Sequence, residues 1–358
     1  MNSLIAVALL AASLARADPA ELAKTYAQAI ERLNAQHAAK PRESEDELAS
    51  KLPAPARRAF DELLAATPSE RNAEALASAL SAAANAAVEL DLERDFEAAR
   101  ARLAQVDEAA AQALGTLVSR PRFLVRGVGG LEREYCERFA DVFEAVLGAY
   151  DEVFGFDEFS KLPGKKLRVL VHLEAQIERP PHFAPQFPYH SQIDFPVADA
   201  SAFTSPTADG KFLFYGLCHE LGHVVAMWGD RSNEEDRHTW AHYTGVAIVE
   251  HLSRDSKHSK LLAGLRDVKW RSLEKERAEA AGVEPGRESK ESVMALWIAL
   301  HDSVGPRALG DALDLLDKED KRLRINRVRY YELGQLERAL QQVVKDEKLR
   351  KRAKELLK

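Results

Sequence analysis

Cysteine is scarce in this 358-residue chain: only Cys136 and Cys218 occur, which excludes a disulfide framework and a cysteine-built zinc ribbon. Lys and Arg (50) are outnumbered by Asp and Glu (57) and form no long basic block, so the chain lacks the electrostatic footprint of a nucleic-acid binder. After the first twenty residues no apolar run approaches the ~20 residues needed to span a bilayer. Internal repeats and low-complexity tracts are absent as well. What remains is a sequence with 46% hydrophobic residues, enough to build a sizeable core in one large or two average domains.

The opening "MNSLIAVALLAASLARADPA" has an apolar run from Leu4 to Leu14 and then Ala15-Arg16-Ala17, the small-x-small pattern of a signal-peptidase site. Residues 1–17 therefore read as a signal peptide cleaved after Ala17. This implies export to the periplasm or the extracellular space, with no stable membrane insertion afterwards. An oxidising compartment permits a Cys136–Cys218 disulfide, and two buried thiols is the other reading.

Residues 18–118 are Ala-rich with helical spacing, punctuated by Pro53, Pro55 and Pro68, and predict three or four helices packed as hairpins. "SRPRFLVRGVGG" breaks the pattern and predicts a boundary near residue 119. A helix is expected from Leu131 to about Phe154, with Phe139, Val142, Phe143, Val146, Leu147 and Tyr150 on one side. Leu167, Val169, Val171 and Leu173 then alternate as a strand. "IERPPHFAPQFPYH" tolerates no helix, and "SQIDFPV" predicts a short strand, placed at a sheet edge because Pro196 cannot donate to a ladder. From Ser253 to Lys358 the pattern is helical, with breaks at "GVEPG" and Gly305-Pro306, and the terminal "KDEKLRKRAKELLK" reads as a solvated helix.

Chemistry concentrates in "LCHELGHVVAMWG", Leu217–Gly229. The stretch predicts a helix of about 18 residues beginning at Lys211, with Gly229 as its C-terminal cap. His219 and His223, four apart, stand on one helix face about 6 Å from each other at their attachment points, so both can bind one Zn2+ at ~2.0–2.1 Å. Glu220 emerges beside the first ligand, where it can reach a metal-activated water without occupying the metal. Gly222 lets another backbone approach, while Cys218 points roughly 100° away from His219 and is no ligand. Chance places H-E-x-x-H in roughly 3 of 100 shuffled chains of this composition, so context has to carry the motif. The competing reading is a core helix with two satisfied histidines.

Two histidines leave a catalytic zinc short of one protein ligand. The metzincin extension is absent, because Ala226 and Gly229 stand where its glycine and third histidine would fall. The next expected helix, about Arg237–Leu252, offers Glu234, Glu235, Asp236, His238, His242 and Glu250.

The motif and the "HTWAHY" that follows resemble the zincin superfamily of metallopeptidases, in particular gluzincin-like members whose second helix opens E-G-x-A-x-Y. Ala241 and Tyr243 match the alanine and tyrosine, and the resemblance puts His238 at the third-ligand position in place of the usual glutamate. It covers roughly residues 131–316. It extends to "ALWIALHDSVGPRALGDALDLL", similar to the helix, glycine turn and helix that close many such domains. The implied fold is α+β and predominantly helical: a zincin-like core with a small sheet and an active-site helix at 119–316, helical residues 18–118 before it and C-terminal helices at 317–358 packing on it. The implied activity is zinc-dependent peptide-bond hydrolysis on a peptide or protein substrate, with His219, His223 and His238 as ligands and Glu220 as general base. The alternative is a zincin-like exported binding or assembly module without catalysis.

Other residues divide between site and scaffold. His242, one turn beyond His238, either hydrogen-bonds to the site, where it could also stabilise an oxyanion, or is an ordinary helix histidine. Tyr243 is expected in the core rather than at an oxyanion. His182 and His190 read as solvated loop histidines, and Glu250 and His251 as an exposed helix end.

Overall fold

The computed structural model describes residues 18–37, 43–155, 166–173, 182–186, 190–197, 208–225, 227–228, 234–265, 272–286, 289–319, 324–325 and 328–358. The expected signal peptide and the Gly229 cap lie outside these residues. Among them, no helix is long and apolar enough to cross a membrane. The chain divides into two compact units at Gly115/Thr116.

Among the described residues the first unit has six helices: Pro19–His37, Glu45–Ser50, Ala54–Ala65, Ala73–Glu89, Glu93–Ala104 and Glu108–Leu114. That exceeds the three or four expected, because two of the breaks carry neither proline nor glycine. One is Asp91, whose φ of 57° puts a non-glycine residue in the left-handed region, a conformation aspartate accepts better than most residues. The other precedes Asp107, whose side chain caps the last helix by accepting from Ala110 N. Alanine lets these helices pack closely, and Ala83, Ala84, Ala87 and Ala99 are fully buried. Tyr26 stacks on Phe60 with ring centroids 4.5 Å apart and donates to Asp95 Oδ2 at 2.6 Å, while Arg57 Nη1 donates to both Asp95 oxygens at 2.8 and 3.0 Å. Burial, together with the Asp95 charge, pushes the Tyr26 phenol well above its ordinary range.

The second unit is built on a five-stranded mixed sheet of order β1-β2-β3-β5-β4, comprising Thr116–Ser119 (β1), Phe123–Val128 (β2), Leu167–Leu173 (β3), His182–Gln186 (β4) and His190–Val197 (β5). The expected boundary at 118/119 falls inside β1, because β2, within "SRPRFLVRGVGG", folds back antiparallel onto Thr116–Ser119 with Pro121 in the turn. Strands β2, β3 and β5 run parallel, and β4 returns antiparallel to β5.

β5 is therefore not the edge strand that its proline suggested. The edge on that side is β4, itself carrying Pro185. Among the described residues the β4–β5 pairing reaches Asp194, two residues short of Pro196, which lies opposite His172 of β3.

Helix Arg133–Phe154 covers the sheet with the apolar side expected of it; Phe139, Val142, Phe143, Val146, Leu147 and Tyr150 are all fully buried. Phe139 meets Phe195 of β5 edge-on at 5.2 Å. The helix stops at Gly155, whose φ of 77° forms a left-handed cap. The last third of the unit is helical at Leu273–Ala280, Lys290–Val304, Pro306–Glu319, Leu333–Val343 and Glu347–Leu356, with Gly305 between the second and third. It is not helical throughout. Three short strands, Met227–Trp228 (β6), Arg324–Ile325 (β7) and Val328–Tyr331 (β8), form a second sheet of order β6-β8-β7. Residues 317–358 thus belong to the same compact unit as the motif.

Candidate metal centre

The motif helix spans Ala208–Val225. It has the expected length but lies three residues earlier, because "ADG" is helical rather than part of a turn and Met227–Trp228 leaves to pair with β8. The facing helix spans Glu234–Arg254. Small residues bring the two together: a Cβ on Gly222 would lie 2.7 Å from Ala241 Cα, and one on Gly245 would lie 3.1 Å from His219 Cα and N. Because 222 meets 241 while 219 meets 245, the helices run antiparallel. Tyr150 braces the pair from the long helix, donating to the Cys218 carbonyl at 2.7 Å and lying 3.1 Å from Thr244 Oγ1.

This close approach carries His238 over the motif. Each of His219, His223 and His238 offers one ring nitrogen, and the three nitrogens lie within 4.8 Å of one another. The His223 ring stands nearly perpendicular to both others, 84° to His219 and 88° to His238, at 4.9 Å from each; His219 and His238 are nearly parallel at 5.9 Å. Tetrahedral coordination at ~2.0–2.1 Å needs nitrogens about 3.4 Å apart, a closure within reach of small side-chain rotations. Three imidazoles on two packed helices are a donor set that fits a transition-metal ion.

Exposure is graded across the triad: His223 is buried, His219 half-buried and His238 exposed, so the centre opens to solvent on the His238 side. Glu220 is buried, with Oε1 4.0 Å from His219 Nε2. That separation places the carboxylate beside the donor cluster rather than in it. The other ring nitrogen of His219, Nδ1, lies 3.5 Å from the Tyr215 hydroxyl.

Behind the triad lies a polar group that the sequence only partly revealed. His242 is largely buried and does not join the cluster. Its Nδ1 shares a short hydrogen bond with the Tyr215 hydroxyl, and its Nε2 sits 3.0 Å from Glu276 Oε1, with only 14% and 6% of the two side chains exposed. Tyr215 could have been suspected, since it stands one turn before His219 on the same face. Glu276 carried no signal, because "LEKERAEA" reads as a charged surface helix. His242 and Glu276, with Thr239, Glu279, Lys290 and Met294, also line a cavity of about 230 Å3.

The other candidates resolve into scaffold. Tyr243 is core, as expected, with its ring stacked on Trp297 at 13° and its hydroxyl 2.9 Å from His301 Nδ1. Glu250 is not at an exposed helix end: it is mostly buried, pairs with Arg254 at 2.8 Å and accepts from Leu273 N at 2.9 Å, which anchors the start of helix Leu273–Ala280. His251 pairs with Glu152 at 3.0 Å. The side chains of Glu234, Glu235 and Asp236 lie outside the described residues, as do those of His182 and His190, although both histidines stand at strand ends rather than in loops. Cys136 and Cys218 are both buried and free; burial pushes the Cys136 thiol up to about 11 and the Cys218 thiol higher still.

No family model, no curated protein and no solved structure matches the chain.

Proposed function

We propose that the protein is an exported zinc-dependent hydrolase of zincin type, a metallopeptidase in which His219, His223 and His238 hold the metal and Glu220 is the general base. One observation carries the reading: three imidazoles from two antiparallel helices meet within 4.8 Å, on the motif helix that sets a buried carboxylate beside them. The three histidines would hold a zinc ion, which when bound would supply acidification of a water molecule and polarisation of a carbonyl. Glu220 then takes the proton of the attacking water and delivers it to the leaving amine. Its low exposure suits that work, because a carboxylate shielded from bulk water interacts strongly with a nearby proton donor. The solvent-facing side at His238 admits substrate. The backbone of β4, the outermost strand of the five-stranded sheet, aligns an extended peptide by strand pairing. Export rests on the apolar run and small-x-small pattern of residues 1–17.

Replacing Glu220 with Gln tests the assignment, since shape is kept and the base removed. Zinc content is expected to remain at the wild-type level while cleavage of a peptide library falls by at least the ~10²–10⁴-fold typical of general-base loss. Wild-type cleavage rates in Glu220→Gln would refute the role of Glu220.

A further inference from the structure

The polar group behind the triad has a defined direction. His219 turns Nε2 toward Glu220 and Nδ1 toward Tyr215, so Nε2 is the nitrogen available to a metal and Nδ1 is left to carry the proton. With that proton directed at the Tyr215 oxygen, the single phenolic proton is free for His242 Nδ1. His242 must then hold its own proton on Nε2, where it faces the Glu276 carboxylate at 3.0 Å. The contacts thus run from a metal-site imidazole to a buried carboxyl group.

We propose that Tyr215, His242 and Glu276 are positioning residues for the metal centre: their chain of polar contacts fixes the His219 tautomer and makes its Nε2 a stronger metal donor. The inference rests on the metal-binding part of the reading above and not on catalysis. The three residues come from the motif helix, the facing helix and helix Leu273–Ala280, so one chain orients the ligand and ties its helix to two others. A tie that only held helices together would need no alignment with His219. Here the hydroxyl that bonds His242 belongs to the residue one turn before the ligand, and the tyrosine ring lies 5.9 Å from both imidazoles. Hydrogen-bond partners behind a ligand histidine raise its basicity and hold its ring, and their loss typically costs about 10–100-fold in metal affinity.

Tyr215→Phe removes one oxygen and keeps the ring, and Glu276→Gln keeps an acceptor for His242 while removing the charge. Zinc affinity of the full chain, measured by competition with a chelating indicator, is expected to fall about 10–100-fold in Tyr215→Phe and by a smaller factor in Glu276→Gln. Far-UV circular dichroism should stay unchanged in both variants. Nitrogen-15 spectra of the zinc-loaded wild type should show the His219 proton on Nδ1 and the metal on Nε2. Affinities within twofold of wild type in both variants, or a metal on Nδ1, would overturn the proposal. A wild-type chain that takes up no zinc would overturn the metal-binding reading and this inference with it, an outcome distinct from wild-type binding that the variants leave unchanged.

Discussion

Gly222 of the motif helix and Ala241 of the facing helix touch backbone to backbone: a methyl group on Gly222 would stand 2.7 Å from the Ala241 Cα, closer than packed carbons approach. The contact sits between His219 and His223 on one side and three residues from His238 on the other. The distance between the helices, and with it the distance between the imidazoles, is set there. Gly222→Ala must therefore push the helices apart. The expected result is a loss of about 1–3 kcal/mol in urea unfolding, accompanied by weaker zinc binding. Wild-type stability and affinity in this variant would mean that the spacing is set elsewhere.

His301 gives stability a pH dependence unrelated to the metal. Burial holds its imidazole below the ordinary value of 6.5, with the Tyr243 hydroxyl facing Nδ1. Between the folded and unfolded pKa the unfolded chain binds more protons, so stability is complete above about 6.5, declines as pH falls through that window and levels off below the folded value. Melting temperatures of wild type and His301→Gln, compared from pH 7.5 down to 5, should show the steeper decline in wild type. Parallel curves would contradict this account.

Both thiols should resist modification. Each cysteine is buried, and burial pushes Cys136 up to about 11, so almost no thiolate is present at pH 8. Ellman's reagent is expected to find no reactive thiol in the native chain within minutes and two after unfolding in guanidinium. Failure to find two in the unfolded, unreduced chain would point to a disulfide instead.

Much of the scaffold was legible because periodicity encodes it directly. β3 spans the run Leu167–Leu173 that alternation marks, and the long helix buries the apolar side that its spacing marks. The histidine cluster was legible for a similar reason: four-residue spacing fixes His219 and His223 on one face whatever surrounds them, and the next helix was bound to lie close. Strand order was not. Pro185 and Pro196 both look like edge residues, and only the sheet shows that β5 lies between β3 and β4 with β4 outermost. The β6–β8 pairing escaped because two residues have no period to read, and the helix break at Asp91 escaped because it uses backbone conformation without a glycine or proline. Glu276 escaped for a physical reason as well. A carboxylate buried on an otherwise charged helix looks like its solvated neighbours until His242 is found beside it.

The account depends most on the convergence of His238 with the motif pair, and zinc content measures that convergence directly. After loading and exhaustive dialysis against metal-free buffer, the wild-type chain should retain one equivalent of zinc, and His238→Ala should retain less than about a tenth of that, because a site of two imidazoles lacks the ligand number that holds zinc in such centres. Absence of zinc from the wild type, or a full equivalent in His238→Ala, would contradict it.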